Sequence, residues 1–290
     1  MSPPDTSTTS SGQGFWEKFA LLDRRIIFAF IFLALALPLF YTIRQPIAVS
    51  PEGRAYYEAI ENLPAGSKIL LSFDFDPPSS PELQPMAEAT FKQLFTKNCK
   101  LVVIGLWPQG PQQAEKALAS ALLDTLFKDK KLEYGVDYAN LGFMAGNEIV
   151  IQKMNSDIPS TFPSDYKGNA TASLPIMRGV KNYKNFDFII DFSSGYPGTR
   201  EWVQFCVDRS GSKMIAGNTA VQAPENYQYF HSGQLKGLLA GMKGAAEYET
   251  VSNQPGKGVS FMGAQSVSHL IVMLFVILGN IAYFVSRRKR

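Results

Sequence analysis

The sequence predicts an α/β domain with a mostly parallel open sheet of about five strands, flavodoxin-like or Rossmann-like, between an N-terminal and a C-terminal transmembrane helix. Two observations predict this fold class. Short apolar runs alternate with amphipathic helical patterns through the middle of the chain, which is typical of a parallel sheet covered on both faces. Two apolar stretches without Lys, Arg, Asp or Glu lie near the two ends, at residues 26–43 and 267–286, and each is about long enough to cross a bilayer.

The composition limits the classes of function. The 290 residues carry a formal net charge of +3, with 46% hydrophobic and 18% charged residues, a shortage of charge that two membrane helices would produce. So small a net charge, without a basic stripe, does not indicate a nucleic-acid partner. The two histidines and two cysteines form no metal-ligand or CxxC spacing, so no cofactor and no metal site are predicted. Cys99 and Cys206 are interpreted as buried free thiols, with one disulfide as the alternative.

The N-terminal region is predicted to anchor the chain. Residues 1–25 begin with a Ser/Thr/Pro/Gly-rich stretch that should be disordered and continue into a short interfacial segment. Lys18, Arg24 and Arg25 precede the apolar run 26–43, which by the positive-inside rule places the N-terminus in the cytoplasm. A cleaved signal peptide is the alternative. No clean small-x-small cleavage site follows the run, so an uncleaved transmembrane helix is the favoured interpretation.

The second apolar run is predicted to return the chain to the cytoplasm. Residues 267–286 are followed by the basic end RRKR at 287–290, a strong cytoplasmic signal. The chain is therefore expected in the cell membrane with both termini cytoplasmic and the domain 44–251 outside, in the periplasm or on the surface. Residues 252–266 are predicted to be a flexible tether. Asn280 lies within the second run and could hydrogen-bond to another helix or to its own backbone.

The domain 44–251 reads as alternating helices and strands. The secondary structure of segment 147–154 is ambiguous. Segment 155–185 is predicted to be a long irregular excursion, of the kind that is often functional. Helices are predicted at 51–62, 80–97, 112–127, 199–208 and 234–248. Strands are predicted at 69–75, 101–107, 138–144, 186–192 and 213–217.

Eight residues form a candidate ligand-binding cleft, because ligands bind at the carboxyl edge of open α/β sheets and most of the eight follow predicted strands. They combine carboxylates, hydroxyls, an amide, an indole and an imidazole, which suit a small ligand. An ordinary strand end, turn or surface loop is the alternative for each. The residues are Asp74, Asp76, Trp107, Ser193, Ser194, Asn218, Thr219 and His231.

No residue is predicted to be catalytic, although two arrangements of residue types could support chemistry. Asp74 and Asp76 have the i, i+2 spacing that places two carboxylates on one side of a strand, where they could hold a divalent cation. A Pro-Pro pair follows them, where haloacid-dehalogenase-type phosphatases have Gly-Thr, so that family is rejected. Ser194 and His231 could form a hydrolase pair with an aspartate, and the turn at Ser194 could bind an anion at a helix N-terminus.

A stripe of small residues is predicted on the last helix of the domain. Gly237, Gly241 and Ala245 recur at i, i+4 and i+8 in the predicted helix 234–248. Glycine costs about 1 kcal/mol in a helix interior, so such a stripe indicates a close backbone approach. The partner is either the protein's own sheet, which is favoured, or another subunit. With Asn280, these residues are the candidate interface.

The order of elements after the first apolar run resembles a known family. Ser50 and Pro51 open the helix SPEGRAYYEAIENL, which is followed by the strand SKILLSFDFD, a helix and the strand LVVIGLW. This layout resembles the auxiliary extracytoplasmic proteins of ABC transport systems of the gliding-motility type, in which a Leu-Ser-Pro helix precedes a strand, an acidic loop and a helix. Here Val49 stands in place of that leucine. The resemblance implies a non-enzymatic partner of a membrane permease.

The sequence therefore predicts a membrane-anchored, non-catalytic subunit of a larger membrane assembly such as a transporter. Its partners would be the membrane and either other membrane-protein subunits or further copies of the chain. A tethered small-ligand-binding module is one alternative, and it would use the candidate cleft. An extracytoplasmic hydrolase that uses Ser194 or the Asp74–Asp76 pair is the other.

Overall fold

The computed structural model describes residues 23–40, 46–128, 130–254 and 256–288. The chain divides into two compact units, of which the larger is Gln45–Met262. The other unit joins the two terminal regions, Met1–Arg44 and Gly263–Arg290.

The larger unit contains one sheet of six parallel strands in the order β3-β2-β1-β4-β5-β6. The order reverses between β1 and β4, as in doubly wound dinucleotide-binding sheets, whereas flavodoxin-like sheets have the order 2-1-3-4-5. The strands are β1 (Lys68–Asp74), β2 (Lys100–Gly105), β3 (Tyr138–Phe143), β4 (Phe188–Ser193), β5 (Met214–Asn218) and β6 (Leu235–Ala240).

Helices connect the strands, precede the first strand and follow the last one. Short 3₁₀ turns lie at Pro77–Ser79, Thr125–Phe127, Thr171–Ser173, Pro175–Met177 and Tyr183–Asn185. One helical segment, α7, contains a π-helical turn in its middle and comprises Thr199–Trp202, Val203–Val207 and Asp208–Ser210. The other helices are α1 (Arg24–Phe40), α2 (Pro51–Glu61), α3 (Ser80–Thr96), α4 (Gly110–Leu122), α5 (Glu148–Met154), α6 (Ile158–Thr161), α8 (Ala223–His231), α9 (Gly241–Val251) and α10 (Lys257–Arg288).

Two hydrophobic cores cover the two faces of the sheet. Strand side chains alternate between faces, so Leu71 and Phe73 of β1 enter the core formed with α2, α3, α4 and α9. Leu70 enters the other core, which is formed with α5, α7 and the 155–185 region. Cys99 belongs to the first core and Cys206 to the second, and both are free thiols.

The predicted helix 234–248 is wrong in its first half, because Leu235–Ala240 forms the edge strand β6. Gly237 lies on this strand, and a Cβ there would come within 3.0 Å of the Tyr56 backbone in α2. Gly241 has a positive φ of 58° at the start of α9, where Ala245 is fully buried. The close approach that the glycines indicated therefore occurs at Gly237, between α2 and β6 of this chain, rather than along one helical face.

The excursion 155–185 is largely irregular, as predicted, but it is packed against the sheet rather than free. Its apolar side chains lie in the second core, among them Ile158, Phe162, Met177 and Tyr183. The preceding ambiguous segment forms α5. Because this region supplies the cover for one face of the sheet, its length reflects packing.

The predicted flexible tether is also incorrect in part, because α10 begins at Lys257. The Glu249 side chain accepts hydrogen bonds from the backbone amides of Gly256, Gly258 and Val259 at 2.8–2.9 Å. Lys257 pairs with Glu88 of α3 at 2.9 Å. Glu249 thus satisfies amides at the start of α10 that have no partner within the helix.

Glu249→Ala should release the first turn of α10, because three amides lose their acceptor. We expect a loss of about 1–3 kcal/mol and at least a tenfold fall in the hydrogen-exchange protection of the Gly258 and Val259 amides. Glu88→Gln is the matched control, since it weakens the ion pair of the half-exposed Lys257 and affects the hydrogen bond from Ser120 Oγ but leaves the acceptor of the three amides in place. Unchanged protection in Glu249→Ala would show that the carboxylate does not hold this turn.

One helix among the described residues is long and apolar enough to cross a membrane, at Lys257–Val285 with a mean hydropathy of 2.1. The N-terminal helix α1 has 17 residues, and positions 41–43 of the predicted first span lie outside the described residues. Asn280 Nδ2 donates to the Val276 carbonyl one turn earlier at 2.9 Å, so its side chain bonds to its own helix.

Candidate functional site

The carboxyl ends of β1 and β4 meet where the strand order reverses, which is the position where ligands bind in open α/β sheets. Asp74 of β1 is opposite Ser193 of β4, and Ser72 is opposite Asp191. All four side chains are fully buried. They lie on the sheet face that packs against α7, because they alternate with the phenylalanines that enter the first core.

Asp74 is the centre of three hydrogen bonds from three different segments. Its Oδ1 accepts from the Leu106 amide at 2.7 Å, just after β2. Its Oδ2 accepts from the indole of Trp202 in α7 at 2.9 Å and from the Ser72 hydroxyl at 2.7 Å. The Asp74 carbonyl oxygen also accepts from the Ser194 amide at 3.2 Å. Asp74 therefore connects β1, the loop after β2, the loop after β4 and α7.

Asp191 binds a second set of hydroxyls on the neighbouring strand. Its Oδ2 accepts from Ser193 Oγ at 2.8 Å and from Thr199 Oγ1 at 2.5 Å. The Asn218 amide donates to the same two hydroxyl oxygens, at 3.0 and 2.7 Å, and Asn226 of α8 donates to Asn218 at 2.9 Å. The network thus extends from β4 through the end of β5 to α8.

The two carboxyl groups are electrostatically unusual. Burial raises the pKa of Asp74 to about 6, against the opposing effect of its hydrogen bonds from Leu106, Trp202 and Ser72. Burial, followed by the charge of Asp74, raises the pKa of Asp191 well above its usual range. No cation compensates them, since the salt bridges among the described residues involve neither group. Such buried acid pairs occur at functional sites and in structural networks alike.

The side chains of this network fill the crevice at the strand reversal. The amide of Gly198 is bonded by the Glu201 carboxylate at 3.0 Å, and the Thr199 amide by Ser193 Oγ at 3.2 Å. The amides at this helix start, where an anion could bind, are therefore bonded by the chain's own groups. Above the network, the Trp107 indole donates to the Pro197 carbonyl at 2.9 Å and covers the loop.

Exposed apolar side chains surround this closed crevice. Tyr196, 53% exposed, hydrogen-bonds to the Glu148 carboxylate, and the neighbouring Ile149 is 56% exposed. A groove of about 790 Å³ opens beside Ile149, and its lining includes Met144 and Lys153. We call the surface formed by Trp107, Tyr196, Glu148, Ile149 and this groove the edge surface.

The structure brings together only part of the predicted cleft. Asp74, Ser193 and Asn218 belong to the buried network, and Thr219 lies beside it with its amide 3.4 Å from the Ser193 carbonyl. Trp107 and Ser194 lie above the network and are half-buried. Asp76 is outside the network, and its carboxylate accepts from Ser79 Oγ at 3.0 Å.

His231 is not part of the cleft. It ends α8, which starts after the carboxyl end of β5 and leads to the start of β6, so His231 lies at the opposite edge of the sheet. Its ring stacks on Tyr227 with centroids 6.4 Å apart. A Ser194–His231 pair is therefore not assembled.

The predicted cleft left out five side chains of the network, which are Ser72, Asp191, Thr199, Trp202 and Asn226. A signal was present for Asp191, which is an acidic residue inside the apolar strand FIIDFS. That Asp191 lies beside the end of β1 (LLSFD) depends on β1 and β4 being neighbours in the sheet. Trp202 lies in the predicted helix 199–208, and its indole bond to Asp74 joins positions 128 residues apart.

Neither a metal-ligand cluster nor a comparison with known proteins assigns a role to this site. Among the described residues, no group of three or more His, Cys, Asp or Glu side chains is placed to hold a metal ion. No protein-family description matches the chain, and no curated protein matches it in sequence.

Proposed function

We propose that the chain is a membrane-anchored, non-catalytic subunit of a larger membrane assembly, and that the edge surface is where a partner subunit binds. The observation that carries this proposal is the combination of a filled crevice with exposed apolar residues above it. Ligand sites need an open cavity, whereas aromatic residues exposed beside a groove are typical of protein interfaces. The apolar helix Lys257–Val285 supports membrane anchoring.

The transporter assignment rests on the resemblance in layout to auxiliary proteins of ABC transport systems. In such an arrangement the domain would act on the permease by contact, and no residue would need to be catalytic. The doubly wound strand order neither favours nor opposes this proposal, because one fold hosts many functions.

Co-purification of the full-length protein in mild detergent tests the proposal. We expect a membrane-protein partner at near-stoichiometric level with the unmodified chain. The double variant Ile149→Ser/Tyr196→Ser should retain at least tenfold less of it, because truncating central aromatic and aliphatic contacts at an interface costs about 2 kcal/mol or more.

Leu123→Ser is the matched control for this experiment. Leu123 is 82% exposed, and it follows α4 on the way to the start of β3, at the opposite edge of the sheet. Partner recovery should be unchanged in this variant. If the unmodified chain purified alone, the proposal of a subunit would be contradicted. If the double variant kept its partner, the assignment of the edge surface as the binding surface would be contradicted.

A tethered small-ligand-binding module is the second candidate, and the groove beside Ile149 favours it. Its volume of about 790 Å³ is within the usual range for ligand pockets. Lys153 lines it and forms no salt bridge with the other described residues. This reading predicts that some solute raises the melting temperature of the full-length protein and that Lys153→Ala removes the effect. No stabilisation across a broad solute panel would exclude it.

A further inference from the structure

The Asp74–Asp191 pair contains one buried polar atom without a visible partner. Asp191 Oδ2 accepts two hydroxyl hydrogen bonds, whereas Asp191 Oδ1 has no donor among the described residues. The two carboxyl groups are nevertheless close neighbours, because Asp191 of β4 is opposite Ser72 of β1, two residues from Asp74 on the same buried face of the sheet. Ionised carboxylates only accept hydrogen bonds, so two of them cannot bond to each other. One proton held between them supplies the missing donor.

We propose that the Asp74–Asp191 pair is a proton-binding site that holds one shared proton at neutral pH and takes up a second in mildly acidic surroundings. The first proton is on Asp191, which then donates to the Asp74 carboxylate. The second proton comes from solvent and neutralises Asp74. This inference goes beyond the proposed function and is independent of it.

The hydrogen-bond pattern distinguishes the roles of the two groups. The three donors on Asp74 are a backbone amide, an indole and a hydroxyl, and all of them favour the ionised form. Asp191 receives only hydroxyl donors, on one oxygen, and has the free oxygen that a proton can occupy. The raised pKa of both groups, which burial causes, agrees with this assignment.

The titratable groups around the pair cannot replace it as the proton acceptor. Burial raises the pKa of Tyr56 in α2 and of Tyr183 in the 155–185 region, so both phenols stay protonated. Cys206 of α7 is buried beside Tyr183, and burial raises the pKa of its thiol to about 12. Glu201 of α7 is bonded to the Gly198 amide and paired with Arg200, which is half exposed.

Uptake of the second proton would change the loops of the edge surface. A neutral Asp74 is a weaker acceptor than the carboxylate, because charge-assisted hydrogen bonds are about twice as strong as neutral ones. The Leu106 amide and the Trp202 indole would both be held less firmly. Leu106 is next to Trp107, whose indole donates to the Pro197 carbonyl beside Tyr196. Acidification should therefore loosen the segments that carry Trp107 and Tyr196.

Infrared spectroscopy of the full-length protein tests the shared proton. At pH 7.5 the unmodified protein should show the carbonyl stretch of a protonated carboxylic acid. Asp191→Asn should lack this band, since its amide can donate to Asp74 without a proton. Glu133→Gln, which removes an exposed carboxylate, is the matched control and should retain the band. A band that survives in Asp191→Asn, or that is absent from the unmodified protein, would overturn the proposal.

Hydrogen exchange tests the coupling to the loops. Between pH 7.5 and pH 5 the protection factor of the Trp202 indole should fall at least tenfold in the unmodified protein. Asp74→Asn should show the low value at both pH values, because its side chain stays neutral. A protection factor that does not depend on pH in the unmodified protein would refute the coupling. If Asp74→Asn does not fold, this pH comparison and the infrared result for Asp191→Asn still decide the proposal.

Discussion

Alanine in place of Gly110 is expected to destabilise the larger unit by about 3 kcal/mol or more, at the upper end of overpacking effects. Gly110 begins α4, where the helix passes over the end of β1. A Cβ at this position would lie within 3.0 Å of the Phe73 carbonyl oxygen and carbon. Neither a strand backbone in the centre of the sheet nor the start of a buried helix can move aside at low cost, so the strain cannot relax locally.

The consequence would be seen as a fall in melting temperature of the full-length protein, monitored by circular dichroism. A loss of this size corresponds to about 6–12 °C for a domain of 150–250 residues. Gly195→Ala is the control at the same edge of the sheet, because its Cβ would meet only the Trp107 ring at 3.4 Å. Equal melting temperatures for Gly110→Ala and the unmodified chain would mean that α4 and β1 are farther apart than described.

The second large effect is an unusual dependence of stability on pH. A buried carboxyl group whose pKa is higher in the folded than in the unfolded state makes the folded state bind more protons. Unfolded aspartate titrates near a pKa of about 3.9, and Asp74 in the folded protein near a pKa of about 6. Between these values the contribution of Asp74 to stability falls as the pH rises, by about 3 kcal/mol in total.

The double variant Asp74→Asn/Asp191→Asn should lose this dependence. At pH 4 it should be less stable than the unmodified protein by about 2 kcal/mol, because the Leu106 amide and the Trp202 indole cannot both face an acceptor on one asparagine. From pH 4 to pH 7 it should gain at least about 3 kcal/mol relative to the unmodified protein, because Asp191, whose pKa burial raises in the folded state, adds to the contribution of Asp74. The two stability curves should therefore cross.

Melting temperatures at intervals between pH 4 and pH 8 would measure this difference. Comparing the double variant with the unmodified protein at each pH cancels the contribution to stability of the carboxylates with a lowered pKa. Examples are Asp124 beside Lys92 and Asp137 beside Lys100. Those groups act in the opposite direction, since they stabilise the fold when ionised. Parallel curves for the two proteins would contradict the assignment of buried, weakly acidic groups at Asp74 and Asp191.

Much of the fold could be predicted because its signals are local. The strands β1, β2 and β4 are nearly continuous apolar runs, which mark strands buried on both faces. The start of α2 was predicted from Ser50 and Pro51, and the Ser50 side chain does accept from the Gly53 amide. The edge strand β6 was missed because its glycine and lysine also fit a helix with small residues.

The arrangement of the site could be predicted less well because it depends on distant pairs. Asp74 was identified from its place at a strand end, but its bond to Trp202 depends on the packing of α7. His231 was included because it follows the last predicted strand. The length and direction of α8 carry it to the other edge of the sheet, and neither follows from a polar residue in a loop.

The reactivity of the two cysteine thiols reports on the opening of the fold. Cys99 and Cys206 are buried against opposite faces of the sheet, and burial raises the pKa of their thiols to about 11 and about 12. Thiolates are the reactive form, so alkylation in the native state would require each layer to open. The sheet lies between the two thiols, which keeps them from forming a disulfide even under oxidising conditions. Alkylation rates of the two positions, resolved by mass spectrometry, would therefore show whether the two layers separate from the sheet together or one before the other.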